Sequence, residues 1–159
     1  MTIQKFMETI KNTYNKHFPE SMCSVQFDAS LYPSIGISCF LAKTANENAH
    51  NYWINDPLSL RLSIDHNGLA FYKDTTVETD IPEDLTIIVW HNHYRITPQE
   101  RNLAFSSRKI QCRKTSGNAK KLITTMDRWF GQLKTQLQTD LDNDMIHKDH
   151  VELIRSKLV

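Results

Sequence analysis

The sequence predicts an α+β fold in one domain spanning residues 1–159: an N-terminal helix, a mainly antiparallel sheet of about five strands, then a long C-terminal helix and a short last helix packed on one face of that sheet. Three observations lead there. Apolar residues recur at helical spacing near both ends of the chain but alternate with a period of two through its middle, so helices and strands are segregated along the sequence. The strand-like runs are joined largely by turn-rich connections of the kind that link antiparallel neighbours. The strongest strand signal, LTIIVWHNHYRI at 85–96, has seven β-branched or aromatic residues among twelve and no Gly or Pro inside it.

Each element follows from its own pattern. Ile3, Phe6, Met7, Ile10, Tyr14 and Phe18 lie on one helical face, Thr2 can cap the start, and Pro19 ends the run. Cys23, Val25 and Phe27 alternate with polar residues, and Ile35, Ile37, Cys39 and Leu41 repeat the pattern after the turn at LYPS. An Asn-rich loop occupies 44–57. Leu58, Leu60, Leu62 and Ile64 alternate with Ser59, Arg61, Ser63 and Asp65, and His66-Asn67-Gly68 supplies a hairpin turn into a strand at 69–73. The acidic stretch DTTVETDIPED reads as a solvated loop. In the strand at 85–96, Ile88, Trp90, Tyr94 and Ile96 are assigned to the core with Asn92 on their side; Ile87, Val89, His91, His93 and Arg95 take the other face. The segment 99–114 has no consistent period and reads as partly helical after Pro98, then irregular or extended after Ser106. Ser116-Gly117-Asn118 breaks the chain and caps a long helix striped by Leu122, Met126, Trp129, Phe130, Leu133, Leu137 and Leu141, and a short helix covers 148–158.

Composition excludes several classes. A content of 40% hydrophobic and 23% charged residues is that of a globular chain, unlike disordered or membrane proteins. No run approaches the roughly 18 apolar residues of a membrane span, and the opening TIQKFMETIKN is amphipathic and unlike a signal-peptide core, so a cytoplasmic location is expected. Cys23, Cys39 and Cys112 lack CxxC spacing, which points to neither a disulfide framework nor a zinc knuckle. No cofactor is expected.

Charge is divided along the chain. Residues 1–100 carry seven Lys or Arg against twelve Asp or Glu, and 101–159 carry twelve against six. Between 101 and 121 seven basic residues occur with no acidic one, interspersed with the hydroxyls of Ser106, Ser107, Thr115 and Ser116. That mixture of cations and hydroxyl donors suits a phosphate backbone. Lys120 and Lys121, in the first helical turn, oppose the helix dipole, a conflict that a bound anion would relieve. The expected contact residues are therefore Arg95, Arg101, Arg108, Lys109, Arg113, Lys114, Lys120 and Lys121. The stretch is not a Walker loop, since GxxxxGK[ST] spacing is absent. A basic loop neutralised by the acidic front half is the plainer account of the same charges.

His91 and His93 share one strand face, where two imidazoles can join a polar or metal-binding cluster or extend the basic patch, but a third ligand is not indicated. Asp140, Asp142 and Asp144 imitate the start of a calcium loop, yet Met145 and Val151 stand where Gly and a carboxylate are required. The leading expectation is a non-enzymatic nucleic-acid-associated protein. A compact inhibitor or adaptor that binds a protein, such as a viral or mobile-element accessory protein, is the rival, and a metal-dependent hydrolase using His91 and His93 is the weaker third. The long helical stripe also leaves room for packing against a second copy.

Overall fold

The computed structural model describes residues 1–29, 32–41, 58–64, 74–93, 109–146 and 150–158, with Leu58, Ser59 and the stretches 91–93 and 109–111 described as backbone. Helix α1 (Ile3–His17) starts where extended Thr2 accepts the Lys5 amide on Oγ1 at 3.1 Å. Two more of its orphan amides are met from outside: Ile3 N–H donates to the Thr79 carbonyl and Gln4 N–H to the Val77 carbonyl, at 3.0 and 2.9 Å. The acidic loop is thus more than a solvated connection. Its backbone caps α1, Val77 and Ile81 pack against the core, and Glu78 and Asp80 stay exposed beside the positive end of a helix whose own first turn has no acid.

Five strands follow among the described residues: β1 (Cys23–Asp28), β2 (Ser34–Phe40), β3 (Leu58–Ile64), β4 (Leu85–His93) and β5 (Lys109–Gly117). They pair in chain order, each antiparallel to the next, with β1 and β5 at the edges. Helix α2 (Ala119–Asp142) begins at Asn118, whose side chain accepts the Lys121 amide at 2.8 Å, and α3 (Val151–Lys157) closes the described chain. The α+β class, the N-terminal helix and the paired C-terminal helices are as expected. The hairpin turn at 66–68 and the strand at 69–73 lie outside the described residues, and so do the Asn-rich loop at 44–57, the strand residues Tyr94, Arg95 and Ile96, and the start of the segment after Pro98.

Alternation decides what is buried. Ile35, Ile37, Cys39, Leu60, Leu62, Ile64, Leu85, Ile87 and Val89 are buried and cluster with Phe6, Ile10 and Tyr14 of α1, Leu122, Met126, Phe130, Leu133 and Leu137 of α2, and Ile154 of α3. One sheet face is therefore covered by helices. Tyr14 fastens α1 to the sheet, its hydroxyl donating to the Phe40 carbonyl, and meets Phe130 of α2 edge-on at 5.2 Å. Across the same helix pair, His17 Nε2 lies 2.6 Å from Asp127 Oδ1 and Lys16 Nζ 3.1 Å from it. Gly131 makes room there: a β-carbon at that position would sit 3.3 Å from His17 Cε1. Cys23 and Cys39 face each other across β1 and β2 with sulfurs 3.6 Å apart. Burial pushes the Cys39 thiol well up, and the hydrogen bond between the two lowers that of Cys23.

One expectation is corrected and another made definite. The faces of β4 are exchanged: Ile87 is fully buried and Val89 is 5% exposed, whereas Ile88 is only partly buried and Trp90 is 46% exposed. Both alternating sets begin apolar, so bulk favoured the indole, but the helices cover the side that continues Leu85, Ile87 and Val89. The segment read as irregular or extended after Ser106 is extended: it forms β5, paired with β4 through nine residues from Leu85↔Gly117 to His93↔Lys109. An edge strand buries little on either face, so its sequence has no apolar alternation to betray it.

Candidate functional site

The sheet face turned away from the helices is laid out in rows by the register. One row runs Ser24, Ser38, Arg61, Trp90 and Cys112, and the next Gln26, Gly36, Ser63, Ile88 and Lys114. At about 4.8 Å between strands each row is roughly 19 Å long. Arg61, Trp90, Cys112 and Lys114 are exposed, as are Ser24 and Gln26, while Ser38, Ser63 and Ile88 are partly covered. A β-carbon built on Gly36, in the middle of β2, meets nothing within 4 Å. The half of the face over β1 and β2 carries Ser24, Gln26, Gly36 and Ser38, with Phe40 buried at the end of β2, and the other half carries an indole with Arg61 in its own row and Lys114 in the next. Towards the start of β4, Thr86 and Ser116 join hydroxyls at 2.9 Å across the β4–β5 pair.

The predicted basic residues are divided by this geometry. Lys114 is exposed on the face away from the helices, in register with Ile88, whereas Arg113 pairs with Val89 on the helix side and sets its guanidinium 5.4 Å from the Trp129 ring centroid of α2. Arg113 is thereby engaged in a cation–π contact that holds the edge strand against the helix. Lys120 and Lys121 are exposed in the first turn of α2, and the Lys121 stem folds back over Gly117, whose φ is +157° and whose added β-carbon would sit 2.7 Å from Lys121 Cδ. Lys109 pairs with His93, and His91 with Gln111 and Leu60, as backbone positions. The side chains of His91, His93 and Lys109, and all of Arg95, Arg101 and Arg108, lie outside the described residues.

Among the described residues ion pairing leaves Arg61, Lys114, Lys120 and Lys121 uncommitted: the ion pairs there are those of Lys16 and His17 with Asp127. The hydrogen bond from His17, reinforced by Lys16, holds the Asp127 carboxyl below the usual carboxylate range. Among the described residues there is no group of three or more His, Cys, Asp or Glu side chains placed to hold a metal ion. No described helix is long and apolar enough to cross a membrane.

In the sequence Arg61 reads as an outward position on a wet sheet face that could receive a polar ligand, and Trp90 as buried. The available signal for Trp90 was Leu85, the third apolar residue on the Ile87 and Val89 side. No family model matches the chain, and no curated protein or solved structure shows significant similarity to it.

Proposed function

We propose that the chain is a non-enzymatic protein that binds nucleic acid by its phosphate backbone, using the basic edge formed by β5 and the first turn of α2 together with Arg61. The observation carrying this reading is the set of exposed cations Arg61, Lys114, Lys120 and Lys121, without ion-pair partners among the described residues, two of them at a helix start where positive charge is unfavourable without an anion. Charged side chains on an edge strand also discourage sheet-to-sheet pairing, and Lys114 does that whatever else it contacts. That role does not account for Lys120 and Lys121, which belong to the helix.

The test is binding of a labelled oligonucleotide followed by fluorescence anisotropy across a salt series. Affinity should fall linearly on a log–log plot, with a slope of about −0.9 per neutralised phosphate on duplex and about −0.7 on a single strand. Replacing Lys120 and Lys121 by Gln should weaken binding to all sequences alike and flatten a duplex slope by up to about two. Fold stability should be unchanged or slightly raised, because the substitution relieves positive charge at a helix start. Absence of binding to DNA and RNA at low salt would remove the proposal in favour of a protein-binding inhibitor or adaptor.

A further inference from the structure

The geometry points to the exposed part of the sheet face turned away from the helices as a stacking platform for an unpaired nucleotide strand, with Trp90 taking a base and Arg61 and Lys114 neutralising the phosphates on either side. This deepens the nucleic-acid reading and rests on it. Tryptophan is usually well buried, yet Trp90 is 46% exposed within a regular strand, with Arg61 and Cys112 as its register partners. Side chains on one sheet face stand roughly perpendicular to it, so neighbouring positions on adjoining strands offer their groups side by side. Arg61 is the register partner of Trp90 on β3, and Lys114 is that of Ile88, two residues before Trp90 on the same face.

Three features choose the occupant. Charge complementarity selects an anion: among the described residues of this face the cations are Arg61 and Lys114, and the carboxylate is Asp28, at the end of the opposite edge strand. The indole selects a ligand with exposed aromatic faces, which unpaired bases present and bases stacked inside a duplex do not. The clear space above Gly36, bordered by the hydroxyls of Ser38 and Ser63, leaves a low floor on which a flexible strand can continue past the indole. DNA and RNA share this chemistry, and the 2′-hydroxyl distinguishes them.

The experiment compares three ligands on the full chain at low salt: a homopyrimidine single strand of about 15 nucleotides as DNA and as RNA, an abasic strand with the same number of phosphates, and a duplex of equal length. Wild type should prefer the single strands, and binding should quench tryptophan fluorescence. Trp90→Ala should weaken single-strand binding by about 5- to 150-fold, the factor corresponding to one stacked base, and leave abasic binding unchanged. Trp90→Phe should retain most of the affinity, and far-UV circular dichroism checks that both variants fold. If Trp90→Ala binds the single strand as wild type does while salt-sensitive binding persists, the platform is overturned and the phosphate contacts stand. Equal binding of abasic and normal strands by wild type would overturn it in the same way. If wild type binds none of the ligands, both readings fall, and the exposed indole is left for a protein partner.

Discussion

Ile87 and Ile88 are adjacent, chemically identical and on opposite faces of β4, so truncating each to Ala isolates the effect of face from that of side-chain type. Ile87 is fully buried beneath the helices, and Ile88 is partly exposed in the row with Lys114 and Ser63. Deleting three carbons from a sealed site loses about 0.8 kcal/mol of transfer free energy for each, roughly 2.4 kcal/mol in all. The cavity left behind carries the cost of Ile87→Ala to about 3 to 4 kcal/mol. At Ile88 water takes the vacated space, so the cavity contribution disappears and part of the transfer term with it. The remaining loss, including strand propensity, is about 1 kcal/mol. For a chain of this size 1 kcal/mol moves Tm by about 2 to 4 °C, giving shifts of about 6 to 16 °C for Ile87→Ala and about 2 to 4 °C for Ile88→Ala. Urea unfolding followed by circular dichroism measures both variants, and an unchanged m-value licenses the comparison. The assignment of faces is refuted if Ile88→Ala costs as much as Ile87→Ala.

Two further outcomes are expected. Because the Asp127 carboxyl is held below its ordinary value by His17 and Lys16, its contribution to stability is present above the unfolded value of about 3.9 and is lost as pH falls through the lower folded value. Asp127→Asn should therefore narrow the stability gap between neutral and acid pH, measured by urea unfolding at stepped pH; an identical pH profile for the variant would contradict the contact. A thiol reagent should modify exposed Cys112 quickly in the native protein and reach buried Cys23 and Cys39 only on unfolding, so fast modification of more than one thiol per chain would contradict their burial.

Where a side-chain period is clean, the sequence discloses the fold. The stripe of α1, the alternation in β2 and β3, and the cap at Asn118 all lie where the pattern puts them, because each element has one apolar and one polar side. β4 is ambiguous for the opposite reason: apolar residues occupy both sides up to Trp90, and only the position of the helices breaks the tie. β5 is invisible to periodicity, since what holds it is main-chain pairing with β4 and a guanidinium set on Trp129. The capping of α1 by the acidic loop uses the carbonyls of Val77 and Thr79, which leave no mark in the side-chain pattern. At the candidate site the cations could be read from the sequence, but their division between two faces could not. Lys114 and Arg113 are neighbours in the chain and are separated by the pleat of the strand.

The meander order of the strands sets the sequence in which the fold can be assembled. Each strand pairs with its neighbour in the chain, so the sheet can grow one partner at a time without waiting for distant segments. The contact of His17 with Asp127 instead closes a separation of 110 residues, and α1 has little to pack against until the sheet exists. The order expected from these separations puts docking of α1 against α2 after the rate-limiting step. Weakening the β3–β4 pair should slow folding, whereas removing the His17–Asp127 contact should leave the folding rate alone and hasten unfolding. On that order the lifetime of the native state is set at the contact of α1 with α2, and the speed of reaching it where the sheet is built.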